Sequence, residues 1–471
     1  MKYHFIGICG AGMSAVAKLL VDKGETVTGS DEGFYPPISD YLVENKIPCT
    51  TPFSPANIPD DVDYIVIGKH AKLVPEENDE VRVAFEKGVP ILSFPQVLNQ
   101  LTQEKENTVA VGSYGKSTCT ALLSWCLEIN HKDPSYFIGA LPLTPHSNAR
   151  IGNGKEFILE GDEYPSSNWD MTSKFLFLNP KNLLITALAH DHVNIFPTHE
   201  DYLKPFIKLI NQLPKEGKLV MCLDDETIQV TLLTISREII TYGLTPNALY
   251  RAEKIEFGLV SSFDLMKGTE RITRLTTSLL GKHNIQNIVG VSALLLETEK
   301  ITIEELMHGI SSFKGIVRRL DRKSEKTTIP VYEGFGSSVD KARSAIEAIK
   351  LHFPQRRLVT VFEPHTFSWR NRAALHWYDT AFQDVDHVFM YKPPEHGSGT
   401  HDQLTLDEIG EKVRASGIEV TSFENTATGL IELINQTQES DVILILSSGG
   451  MDGLIPQTIA ALEEKFPILT P

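Results

Sequence analysis

Gly112-Ser113-Tyr114-Gly115-Lys116-Ser117-Thr118 holds the residue types needed to grip a polyphosphate. Glycines let backbone N–H groups close on phosphate oxygens, a lysine neutralises the terminal groups, and the next hydroxyl can hold Mg²⁺. An apolar run ending at Val111 predicts a strand before the loop, and helix-forming residues from Thr118 predict a helix after it. The loop is shorter than the ordinary G-x-x-x-x-G-K-[ST] pattern, so a chance G-K-S triplet is the competing reading. The strand-to-helix setting argues against chance.

A second glycine loop, Gly7-Ile8-Cys9-Gly10-Ala11-Gly12, lies between a predicted strand and helix near the start. Such a turn brings backbone close to a pyrophosphate, whose charge rests on the helix N-terminus. The spacing departs from G-x-G-x-x-G, which weakens a nicotinamide reading. Asp31, ending V-T-G-S-D, is placed to accept a hydrogen bond from a ribose or base. A tight turn without ligand remains the alternative.

The elements that must position these loops repeat an α/β pattern. YHFIGI, ETVTGSD, YIVIG and PILSF predict parallel strands, with a helix from Met13 to Lys23 between the first two. The polar stretch LTQEKENT, residues 101–108, reads as a boundary. VAVGS, FILEGDE, NLLITALA and KLVMCLD form a second series, and near Phe313 the alternation restarts with RLVTVFE, HVFMYK, IEVTSF and DVILILSS. The helices SVDKARSAIEAIK and TATGLIELINQ belong to this third series. The expected fold is α/β: three successive α/β domains with mostly parallel sheets, at 1–103, 104–313 and 314–471. The first and last are expected to be Rossmann-like and the central one an ATPase of P-loop type.

Composition narrows the class. A chain of 471 residues with 41% hydrophobic and 22% charged residues is globular and too long for one core. No apolar run approaches the roughly 20 residues of a membrane span, so a cytoplasmic location and no membrane partner are expected. Forty-four basic against 61 acidic residues give a net charge of −17, which argues against a general nucleic-acid surface. Five scattered cysteines with no C-x-x-C pair argue against a disulfide framework or structural zinc site.

Taken in order, further segments resemble the Mur ligase family. After the two loops (the first as G-x-x-G-x-G-M-S, with Met13 and Ser14) come Glu160-Gly161-Asp162-Glu163-Tyr164 and Ala189-His190-Asp191-His192-Val193-Asn194-Ile195-Phe196. Gly281-Lys282-His283-Asn284-Ile285-Gln286-Asn287 and Phe313-Lys314-Gly315-Ile316-Val317-Arg318-Arg319-Leu320 follow. The resemblance covers essentially the whole chain. It implies ATP and Mg²⁺ as cofactors, UDP-N-acetylmuramate as acceptor, and an amino acid or peptide as amine. The D-E-Y motif points within the family to peptide recycling, with the tripeptide L-Ala-γ-D-Glu-meso-diaminopimelate as amine. Addition of L-alanine or another amino acid is the alternative, and a nucleotide-binding relative without ligase activity is a third reading.

The resemblance also implies roles. Lys116, His192 and Arg319 would be catalytic, and Ser117, Glu163 and His192 would hold the metal. Gly112, Ser113, Gly115, Lys116, Ser117, Thr118, His283, Asn284, Asn287 and Arg319 would bind ATP. Gly10, Gly12, Met13, Ser14, Asp31 and His365 would bind the sugar nucleotide. Each carries an ordinary structural alternative: helix capping for Asn284 and Asn287, packing for His365, an exposed basic pair for Arg318 and Arg319. The chain departs from the family pattern in the third domain, where D-D-[YF]-[GA]-H-H-P becomes Glu333-Gly334-Phe335-Gly336-Ser337-Ser338-Val339. Tyr114 replaces a loop histidine and Ala187 an asparagine. Phe206 stands where sister ligases carry a carbamylated lysine, with Lys208 nearby.

Overall fold

The computed structural model describes residues 1–35, 38–192, 195–392 and 402–468. The first sheet has five parallel strands in spatial order Cys49–Thr50, Thr26–Ser30, Lys2–Ile6, Tyr64–Ile67, Ile91–Leu92. From Lys2–Ile6 the chain builds first to one side and then to the other. The crevice at such a reversal is where parallel sheets bind ligands, and the Gly7–Gly12 loop occupies it. Helix Ala11–Asp22 buries Ala15, Val16, Leu19 and Leu20 and has no side-chain cap at its N-terminus. That leaves its first N–H groups available to an anion.

The polar boundary expected at 101–108 is narrower. Helix Phe94–Thr102 runs into it and strand Glu106–Val111 begins inside it. Ser93 and Gln96 form a capping box with Pro95 in the first turn, and Val97, Leu98 and Leu101 are buried. Local capping therefore converts the end of PILSF into a helix start.

The second sheet has ten strands, with Glu106–Val111 between Glu156–Glu160 and Asn182–Ile185, all three parallel. Leu219–Cys222 and Ile240–Gly243 extend it in parallel. Next in the order come Tyr250–Glu256, Ser261–Lys267 and Glu270–Thr277, which the sequence reading did not predict. Helix Lys116–Ile129 leaves the central strand and buries Cys119, Ala121, Leu122, Leu123, Cys126 and Leu127.

The third sheet runs Arg319–Arg322, Val331–Gly334, Asp441–Leu446, Arg357–Phe362, His387–Tyr391, Glu419–Phe423. All pairs are parallel except the first. Its strands are apolar on both faces because helices cover both. Tyr332, Leu358, Phe362, Leu444 and Leu446 pack into one core, and Val331, Val359, Val361, Ile443 and Ile445 into the other.

The chain is mixed α/β with mostly parallel sheets, as expected. Its contacts divide into two compact units: residues 1–254, 263–276 and 285–313 in one, and 255–262, 277–284 and 314 onward in the other.

Candidate active site

The phosphate loop closes the end of strand Glu106–Val111 in the second sheet. Gly112 has φ +132° and Gly115 φ +82°, values that L side chains rarely adopt. Space is also absent: a Cβ on residue 112 would lie 2.4 Å from Thr186 Oγ1, and one on residue 115 would lie 2.7 Å from Asn287 Oδ1. Helix Lys116–Ile129 starts with no side-chain cap. Ser113 Oγ instead ties the loop to its support, donating to Ala189 O at 2.5 Å and lying 2.9 Å from Tyr202 Oη. Ser113 N donates to Ala187 O at 3.0 Å. Thr118 is buried, whereas Tyr114 is exposed.

Two carboxylates meet this loop. Lys116 Nζ donates to Gly112 O at 2.7 Å and to the Glu163 oxygens at 3.2 and 3.0 Å. Glu163 is fully buried, and its Oε1 also lies 3.1 Å from His192 Nε2. His192 Nδ1 lies 2.9 Å from Tyr164 Oη, so a ring that donates from Nε2 accepts the tyrosine proton at Nδ1. His192 adopts φ +57°, uncommon for a non-glycine residue. Ser117 Oγ turns to Glu160, donating to Oε1 at 2.8 Å, while Gly139 N donates to Glu160 Oε2 at 2.7 Å. Lys116, Gly139, Glu160, Glu163, Tyr164 and His192 line a cavity of about 320 Å³ that also reaches Gly12, Phe94, Asp162 and Lys174.

At the first loop the predicted residues divide by role. Gly12 lines the cavity. Asp31 braces the turn, accepting from Cys9 N and Glu32 N, both at 2.8 Å. Met13 is buried, and Ser14 Oγ donates back to Gly10 O at 3.1 Å and Ala11 O at 3.2 Å. Gly10 is the exposed residue that starts the helix. In the same compact unit Asn287 is buried beneath Gly115.

The second compact unit holds the other candidates. His283 is exposed at the start of helix Lys282–Glu297, and Asn284 is buried, with Nδ2 donating to Leu280 O at 2.8 Å. Arg318 and Arg319 are unlike each other. Arg318 is fixed by Glu333 Oε1 at 2.9 Å and by Gly449 O at 2.6 Å. Arg319 is exposed, its side chain making no hydrogen bond or ion pair among the described residues. His365 Nδ1 lies 3.5 Å from Glu363 Oε2, to which Ser447 Oγ donates at 2.5 Å.

The model of the Mur ligase family catalytic domain matches residues 2–106, and that of the Mur ligase middle domain matches residues 111–295. UDP-N-acetylmuramate–L-alanine ligase of Endomicrobium trichonymphae is 30% identical over 447 residues, covering 95% of each chain. The chain belongs to the Mur ligase family. The solved UDP-N-acetylmuramate–alanine ligase of Thermotoga maritima superposes with a TM-score of 0.77 at 24% identity, over 99% of this chain and 100% of that one. The UDP-N-acetylmuramate:L-alanyl-γ-D-glutamyl-meso-diaminopimelate ligase of Neisseria meningitides gives 0.62 at 27% identity, over 67% and 99%. As a Mur ligase, this protein is an ATP-dependent enzyme that forms amide bonds, with the three-domain α/β architecture of its family.

The donor set of this Mur ligase suits Mg²⁺. That ion takes one or two protein oxygens and completes its shell with phosphate and water oxygens. Ser117 Oγ and Glu160 offer such oxygens side by side, and no cluster of three or more His, Cys, Asp or Glu side chains able to hold a metal occurs among the described residues. Glu163, the carboxylate expected as a ligand, has Lys116 and His192 beside it. Glu160, which was not among the residues expected from the sequence, meets the Ser117 hydroxyl. Glu160 ends the strand beside the phosphate-loop strand. Val193 and Asn194 of the D-H segment lie outside the described residues.

The departures have physical occupants. Gly334 is buried, and a side chain there would point at Leu446, Ala345 and Leu320. Ser338 caps helix Val339–His352 by accepting from Lys341 N, and Ser337 Oγ accepts from Lys341 Nζ at 3.1 Å. Phe206 is buried between Phe175 and Tyr202, at ring separations of 5.0 and 5.2 Å, and Lys208 is exposed.

Proposed function

We propose that this Mur ligase activates the carboxylate of UDP-N-acetylmuramate with ATP and joins it to L-alanine, using domains at 1–103, 104–313 and 314–471. The observation that carries the reading is one cavity lined by Gly12 of the first loop, Lys116 of the phosphate loop, and Glu160, Glu163 and His192. A carboxylate oxygen of the acceptor attacks the γ-phosphorus, the bond to the β-bridging oxygen breaks, and ADP leaves. The amine then attacks the acyl carbon, phosphate departs, and the amine proton goes with it. Bringing an anion to a triphosphate requires positive charge at the transferring group. Lys116 supplies it from a side chain fixed by Gly112 O and Glu163. Mg²⁺, held by Ser117 and Glu160, would shield the phosphate oxygens when bound. Glu163 and Tyr164 orient His192 toward the same cavity.

The L-alanine choice is supported by relatives of that name matching 95% of the chain or more. A second reading, a short peptide as amine, is supported by Tyr164, which bonds His192 and lines the cavity. The test is ADP release with ATP, Mg²⁺ and UDP-N-acetylmuramate, comparing L-alanine with L-alanyl-γ-D-glutamyl-meso-diaminopimelate. Stimulation by L-alanine is expected. Stimulation by the tripeptide alone replaces the first reading with the second, and ADP release that ignores both amines contradicts the ligase assignment.

A further inference from the structure

Lys174 stands in the cavity without a part in the chemistry described so far. It opens a short helical turn, Lys174–Phe177, whose backbone is tied to the D-E-Y segment. Lys174 N donates to Tyr164 O at 2.9 Å, and Phe175 N donates to Asp162 O at 3.1 Å. Its side chain is only 16% exposed. The ammonium lies 5.3 Å from the centre of the Phe94 ring and 5.7 Å from that of Tyr164. One hydrogen bond holds it, to Asp162 Oδ2 at 2.6 Å. An ammonium has three donors, so two of Lys174's have no protein acceptor among the described residues. Asp162 thus anchors the ammonium at one donor.

A desolvated cation with spare donors, pinned between two rings, is built to receive an anion. The cavity restricts which one. Lys116 serves the triphosphate end, and the uncapped helix at Gly10 serves a diphosphate. Lys174 lines the same space as Lys116 and as Gly12 of that helix. What remains to be held there is the nucleophile itself.

We propose that Lys174 binds the reacting carboxylate of the acceptor sugar nucleotide and holds one of its oxygens while the other attacks the γ-phosphorus. This rests on the function proposed above and adds the residue that recognises the acceptor's distinguishing group. Lys174 partly offsets the repulsion between carboxylate and triphosphate. It does so without covalent participation.

The test compares two sugar nucleotides by calorimetric titration without ATP. UDP-N-acetylmuramate carries the carboxylate, and UDP-N-acetylglucosamine carries the same diphosphate without it. Lys174→Met keeps the stem packed on Phe94 and Tyr164, and its ATP affinity, measured in parallel, reports an intact central domain. The expected result is UDP-N-acetylmuramate binding weakened about 10- to 100-fold, the range of a lost charged hydrogen bond. UDP-N-acetylglucosamine binding should stay within about 3-fold, and Lys174→Arg should retain most UDP-N-acetylmuramate affinity because it keeps the charge. Equal weakening of both ligands would assign Lys174 to the diphosphate and overturn the proposal, as would unchanged binding of both. If the parent protein binds neither sugar nucleotide, the functional reading falls and this inference with it.

Discussion

Lys116 Nζ is held by Gly112 O and by Glu163. In the proposed function the terminal phosphates of ATP would compete with Glu163 for this ammonium. Replacing Lys116 with Met should cut turnover about 100-fold or more, the scale of losing one charged group at a developing anion. It should also destabilise the protein by about 3 kcal/mol, because Glu163, 1% exposed at its side chain, then lacks its main cation. Adding Glu163→Gln to Lys116→Met should recover most of that loss in urea unfolding without recovering turnover. If the single and double variants unfold alike, the buried pair is not what positions Lys116. Glu160 makes a separate prediction. Glu160→Gln should raise the Mg²⁺ concentration for half-maximal ADP release about tenfold or more, since even outer-sphere partners of metals are worth that much. An unchanged magnesium titration would remove Glu160 from the metal site.

At the scale of elements, the third domain's altered segment is a packing and capping solution. Where the family pattern has aspartate, Gly334 leaves room for only Leu446 and its neighbours. A Cβ there would already be 3.1 Å from Leu446 Cδ2. Gly334→Asp should therefore lower thermal stability and fail to raise ADP release, because it buries a charge without a partner. A faster enzyme of parental stability would show that the segment is a damaged site. The strands of this domain were legible in the sequence because RLVTVFE, HVFMYK and DVILILSS are apolar on both faces, the pattern of a parallel sheet covered on both sides. The phosphate loop was legible because glycine, lysine and hydroxyl appear in one short run. The sequence did not reveal which carboxylate meets Ser117, since Glu160 and Glu163 lie on one segment and only the strand's end decides their directions. Nor did it reveal that Arg318, rather than Arg319, is fixed by Glu333. The strands from Tyr250 to Thr277 escaped because charged residues interrupt their alternation.

At the scale of the molecule, His352 joins segments distant in sequence within one compact unit. It is 4% exposed, its Nδ1 is 2.8 Å from Gly258 O, and its Nε2 accepts from Gly281 N at 2.8 Å. Both bonds require the neutral ring with its proton on Nδ1. Burial pushes its pKa down, and the bond to Gly258 offsets this only in part. A histidine depressed in the folded state takes up its proton more readily when unfolded. Its contribution is therefore complete above the unfolded value of about 6.5 and is lost as pH falls through the folded one. The melting temperature of the parent should drop more steeply between pH 7 and 5 than that of His352→Gln. Parallel pH profiles would show that this histidine does not couple to stability.

The central claim is that ATP activates the acceptor's carboxylate as an acyl phosphate, and oxygen labelling tests it most directly. UDP-N-acetylmuramate with ¹⁸O in the carboxylate is turned over with ATP, Mg²⁺ and the amine that stimulates ADP release, and the phosphate is weighed by mass spectrometry. With both carboxylate oxygens labelled, one ¹⁸O is expected in each phosphate released, because the carboxylate oxygen that attacks phosphorus leaves with it. Amide formed with unlabelled phosphate would contradict it.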